Sequence, residues 1–160
     1  MTPRTLTERI DDFLAQKRIA VAGVSEGAQR GAARAIYHRL KAEGREVFAV
    51  NPKLERFEDS PCWPDLASIP GGVDAVMIVT RPEATDSLVR DAHTAGVSRV
   101  WMHASSPKGA SVSQDAVAYC RQNGMSVIAG GCPMMFGDKV DFGHRCMRLM
   151  LRLSGGLADS

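Results

Sequence analysis

The stretch from Ile19 to Leu40 reads IAVAGVSEGAQRGAARAIYHRL, an apolar run that ends at Gly23, a loop of small residues, and then a helical pattern. Three chemistries compete for the loop. Gly23-Val24-Ser25-Glu26-Gly27 has the G-x-S-x-G spacing of an elbow that exposes a nucleophilic serine. The same residues form an incomplete G-x-G-x-x-G, the turn that lets backbone approach a dinucleotide pyrophosphate. In the third reading the loop amides and the start of the following helix cradle the phosphate of some other nucleotide, because both present N–H groups to one point and the helix dipole favours an anion there.

The surroundings weigh against the first two. A serine elbow follows several strands and needs an oxyanion-hole segment upstream, and only one strand precedes Ser25. The NAD fingerprint wants a second glycine where Ser25 stands, and an acidic residue at the end of the second strand to accept from the ribose hydroxyls. That strand ends instead in Asn51-Pro52-Lys53. Donors and a cation at this place suit a ribose that carries a phosphate, as in NADP or coenzyme A. Arg30 and Arg34 lie where they could add charge to the loop.

The elements that position these residues follow from periodicity and punctuation. Leu6, Ile10, Phe13 and Leu14 recur at helical spacing and predict a leading helix over residues 5–15. Short apolar strands are expected at Arg18–Gly23, Glu46–Val50, Ala75–Val79, Arg99–Met102 and Ser126–Ala129. Helices are expected from Arg30 to Glu43, from Pro82 to Ala95, from Ser111 to Asn123 with Ser111 or Ser113 as cap, and from Val140 to Leu153. The turn-rich stretch between Asn51 and Gly72 reads as a loop. Strands that are apolar throughout bury both faces, as parallel strands do. Strand–helix alternation then gives an α/β, doubly wound, parallel five-stranded sheet of order 3-2-1-4-5. Ligands in such sheets bind outside the carboxyl ends of the strands where the winding reverses, here beside the first and fourth strands.

Composition sets bounds. The 160 residues are 44% hydrophobic and 24% charged, which suits one soluble domain, and a net charge of +2 gives no case for nucleic acid. No apolar run approaches the roughly 18 residues of a membrane span, and MTPRTLTERIDDF is too polar for a signal peptide, so a cytoplasmic protein that does not engage membranes is expected. Cys62, Cys120, Cys132 and Cys146 fit no zinc spacing, and the four histidines are equally dispersed. No metal site is expected. The end segments MTPRT and GGLADS are expected to fray.

Five pieces in order, IAVAGVSEG, VFAVNPK, CWPDLASIPGGVDAVMIVTRP, VWMH and VIAGGCPMM, resemble the small stand-alone CoA-binding domain proteins. Their fold is similar to the CoA-binding domain of the succinyl-CoA synthetase alpha subunit. The resemblance spans most of residues 17–135. It implies a single Rossmann-like domain over 1–160, with flanking terminal helices, that holds coenzyme A or an acyl-CoA in the crevice. By position it implies Gly23, Val24 and Ser25 at the diphosphate, and Asn51, Pro52 and Lys53 at the ribose or its phosphate. Val79, Thr80, Arg81 and Pro82 would flank the adenine or the start of the pantetheine arm, and Trp101, Met102, Cys132 and Pro133 would lie deeper. The synthetase subunit carries its phosphorylated histidine on a second domain, for which the sequence after residue 135 offers only a helix and a tail. The resemblance therefore implies binding without a complete catalytic apparatus, with a homodimer or an acyl-CoA enzyme as partner. An NADP-linked oxidoreductase using the same crevice, with His103 as its acid or base, and an interaction module with a vestigial nucleotide site remain open.

Overall fold

The computed structural model describes residues 5–27, 31–105, 110–136 and 142–153. It begins with α1 (Leu6–Leu14), whose start is a capping box: Glu8 N–H donates to Thr5 Oγ1, and Thr5 N–H to the Glu8 carboxylate. The order continues β1 (Arg18–Ala22), α2 (Ala32–Ala42), β2 (Glu46–Val50), β3 (Arg56–Phe57), β4 (Ser60–Trp63), β5 (Ala75–Ile78), α3 (Pro82–Thr94), β6 (Arg99–Met102), α4 (Gln114–Gln122) and β7 (Ser126–Ala129). A 3-10 turn (Pro133–Met135) and α5 (Phe142–Leu153) are the last described elements. Of the two caps proposed for α4, it is Ser113 that accepts from Ala116 N–H.

The five-strand count and the order 3-2-1-4-5 are corrected. The sheet has seven strands in the order β3-β4-β2-β1-β5-β6-β7, all parallel except the β3–β4 pair. The strand at Ala75–Ile78, placed beyond the second strand by sequence, lies on the other side of β1. The place beside β2 is taken by β4, which was hidden in the stretch read as loop. Its Pro61 lacks an N–H and sits next to further turn residues, so local chemistry signals a turn. Tertiary pairing of Cys62 with Ala49 and of Trp63 with Val50 makes it a strand. The reversal of winding consequently falls between β1 and β5, not between β1 and the strand at Arg99–Met102.

Two packed layers cover the sheet. Ile19, Val21, Ala49, Met77, Trp101 and Ile128 form one face with Phe13 of α1 and Ile36, Tyr37 and Leu40 of α2. Ala20, Ala22, Val76, Ile78, Val100 and Met102 form the other with Val89 and Ala92 of α3 and Val117 and Cys120 of α4. Phe13 meets the fully buried Trp101 edge-on, with ring centroids 5.3 Å apart. Arg99 Nε bonds Asp12 Oδ2 at 2.8 Å and pins α1 across the sheet. Arg18 holds the return from β4 to β5 by donating to Gly72 O at 2.8 Å and to Pro70 O at 2.6 Å. On α5, Cys146, Leu149, Met150 and Leu153 are exposed, while Arg148 turns inward to donate to Met135 O. Residues 1–4 and 155–160 of the ends expected to fray lie outside the described residues.

Truncating Phe13 removes an aromatic pair and opens a cavity beneath α1. Phe13→Ala is expected to lower stability by about 3–5 kcal/mol, measured as a shifted midpoint in chemical denaturation; a loss below about 1 kcal/mol would contradict this packing.

Candidate functional site

The carboxyl edge of the sheet is built by ladder hydrogen bonds that run one residue past the strands. Asn51 N–H donates to Trp63 O, Gly23 N–H to Val50 O, Val79 N–H to Ala22 O, His103 N–H to Ile78 O, and Gly130 N–H to Met102 O, all at 2.9–3.1 Å. In parallel register this sets Asn51, Gly23, Val79, His103 and Gly130 side by side as a row, two residues beyond Ala49, Val21, Met77, Trp101 and Ile128. The row thus continues the face packed by α1 and α2.

Gly23 stands in this row between Asn51 and Val79. Its φ is +103°, and a Cβ built on it would lie 2.1 Å from Val79 O and 3.1 Å from Thr80 Cγ2. Only a residue without a side chain lets the exit of β1 pass this close to the exit of β5. Asn51 fastens the same junction from the other side. Its Nδ2 donates to Val24 O at 2.7 Å, and its Oδ1 accepts from Lys53 N–H at 2.8 Å. Both ends of the Asn51 amide thus hold the β1 loop and shape the turn that presents Lys53.

The structure divides the sequence-predicted site residues into a rim and an interior. Ser25, Pro52, Lys53, Arg81 and Pro82 are exposed along the edge, and Val79 and Thr80 are half-buried between them. Val24 is fully buried in the α2-side core, so what it offers the loop is its backbone. Trp101 and Met102 are fully buried and point to opposite faces of the sheet. Trp101 Nε1 donates to Gly130 O at 2.9 Å. Cys132 and Pro133 are buried where the chain leaves β7. Arg30 lies outside the described residues. Arg34 is drawn away toward the β3–β4 hairpin, where its Nε lies 3.2 Å from Glu58 Oε1 and its guanidinium covers Phe57.

Sequence reasoning missed the support behind Thr80. Thr80 Oγ1 lies 3.4 Å from Thr85 Oγ1, and the fully buried Thr85 donates to Ser111 O at 2.7 Å. These bonds tie the end of β5, the start of α3 and the segment before α4 into one wall. The signal was the inward spacing Thr85, Val89, Ala92 on α3. Burial also sets the titration of several groups. It pushes the His103 imidazole down to about 4, the Cys120 thiol up to about 11, and the Cys62 thiol upward.

Edge-to-edge loops at a winding reversal, with cations on the rim and a helix N-terminus on one side, suit a nucleotide phosphate. Residues 17–138 match the CoA binding domain family. The chain belongs to that family. Acetate–CoA ligase (ADP-forming) I of Archaeoglobus fulgidus is 28% identical over 130 residues, which make up 78% of this chain and 19% of the ligase. The chain thus spans under a fifth of that relative's length. Among solved structures, a hypothetical protein from Pyrococcus horikoshii is 27% identical with a TM-score of 0.71, over 79% of this chain and 86% of that one. A dinucleotide-forming acetyl-coenzyme A synthetase from Ca. Korarchaeum cryptofilum shares the fold with a TM-score of 0.61 and 22% identity, over 71% of this chain and 25% of that one. Family membership supports a CoA-related binding role. Among the described residues no helix is long and apolar enough to cross a membrane.

Gly23→Ala combines a left-handed backbone with a clash against Val79 O. It is expected to cost at least about 2 kcal/mol, read as a drop in thermal midpoint. A variant as stable as the parent would show that the β1–β5 junction is looser than described.

Proposed function

We propose that the chain binds coenzyme A or an acyl-CoA along the carboxyl edge of its sheet. The observation that carries this reading is the junction of β1 and β5, with the loops after Gly23 and Val79 held against each other in a member of the CoA binding domain family. The ligand is anionic at its diphosphate and phosphorylated ribose, and uncharged along its amide arm. The residues here have the same polarity. Lys53 and Arg81 are exposed on the rim, and the start of α2 adds its dipole. Val79, Trp101, Cys132 and Pro133 are uncharged beneath this edge, with Met102 on the opposite face of the sheet. In this reading the loop at Gly23, Val24 and Ser25 receives the diphosphate through its amides, and Lys53 meets the ribose phosphate. Asn51 acts by holding the loop, and Thr80, Arg81 and Pro82 border the adenine or the start of the arm. The role of these residues is binding, as in a sensor, a carrier or part of an acyl-CoA enzyme.

Titration calorimetry tests this. Coenzyme A and acetyl-CoA are expected to bind more tightly than NADP, and NAD more weakly still. Lys53→Glu is expected to weaken coenzyme A by about tenfold, roughly one charge-assisted hydrogen bond, while dephospho-CoA changes little. Binding of NADP without coenzyme A would overturn the reading in favour of a nicotinamide cofactor.

A further inference from the structure

His103 is a buried polar group whose Nε2 the fold leaves without a partner. The residue is 3% exposed, and Nε2 makes no hydrogen bond among the described residues. Leaving such an atom orphaned costs about 1–3 kcal/mol. A leucine could fill the position without that cost, so the imidazole points to a partner from outside the chain.

Its place shows which part of a ligand that partner is. Ladder bonds from His103 N–H to Ile78 O and from Gly130 N–H to Met102 O set it between Val79 and Gly130, directly beyond Trp101 on the α2-side face. Gly23 lies two strands away, which at the usual spacing is about 10 Å. A diphosphate held at the Gly23 loop therefore does not reach His103, but a chain running from it across Val79 does. The neighbours on that face are apolar: Trp101 and Ile128 are buried and uncharged. Burial keeps the imidazole neutral at physiological pH. A neutral imidazole among apolar walls is poor chemistry for a phosphate and good chemistry for an amide or thioester carbonyl.

Resting on the coenzyme A reading, we propose that His103 Nε2 is the hydrogen-bond donor to a carbonyl of the uncharged arm of the bound ligand. The residue thereby distinguishes ligands that carry the arm from nucleotides that lack it.

The test compares His103→Leu and His103→Gln with the parent, using coenzyme A and adenosine 3′,5′-bisphosphate, which has the phosphates but no arm. His103→Leu is expected to weaken coenzyme A by about tenfold, to leave the bisphosphate within about twofold, and to raise the thermal midpoint by removing an orphaned group. His103→Gln, whose amide can still donate, is expected to keep most of the coenzyme A affinity. Should the leucine variant fail to fold, the parent's imidazole resonances serve instead: coenzyme A must shift one buried histidine that the bisphosphate leaves unmoved. Equal losses for both ligands would put His103 at the nucleotide end and overturn the inference, as would unchanged binding of coenzyme A. A parent protein that binds the bisphosphate but gains nothing from the arm overturns it too. If the parent binds neither ligand, the coenzyme A reading itself falls and the inference falls with it.

Discussion

The site depends on the passage of the Gly23 backbone against the carbonyl of Val79. A Cβ there would stand 2.1 Å from that oxygen, so β1 and β5 can leave the sheet side by side only because position 23 has none. The rest of the edge is stacked on this contact. Ladder bonds carry the row outward to Asn51 on one side and to His103 and Gly130 on the other. The Asn51 amide then locks the loop after Gly23 by binding Val24 O. A continuous edge of this kind places loop amides by backbone geometry, which tolerates wide change in the surrounding side chains.

The fold class was legible because its signals are local. Apolar runs, Pro82 at the first turn of α3 and glycines after three helices mark the elements within a few residues. Strand order is not a local property. Nothing near Ala75 states on which side of β1 it will pair, and Pro61 actively suggests a turn where β4 forms. The error in order nevertheless left the nominated loops intact, because every strand of a parallel sheet delivers its carboxyl end to the same edge.

The candidate site was legible as a set of segments and much less as a set of side chains. Lys53 and Arg81 are exposed on the edge where the strand ends were expected to deliver them. The task of Asn51 could not be read, because its partner Val24 lies 27 residues earlier and offers only a carbonyl. Trp101 and Met102 looked equivalent in sequence, yet adjacent strand residues face opposite layers, and each joins a different core. Thr85 and Ser111 act through a bond across two elements and leave no motif.

The burial of the cysteines bears on how the protein stands among thiols. Exchange with a disulfide begins with attack by a thiolate, so its rate follows access and the fraction ionised. Cys62, Cys120 and Cys132 are buried, and burial holds the first two largely in the thiol form. Cys146 alone is exposed, out on α5. The interior is thus chemically quiet toward small sulfur compounds, and oxidative capture by such a molecule would mark the C-terminal helix and spare the sheet.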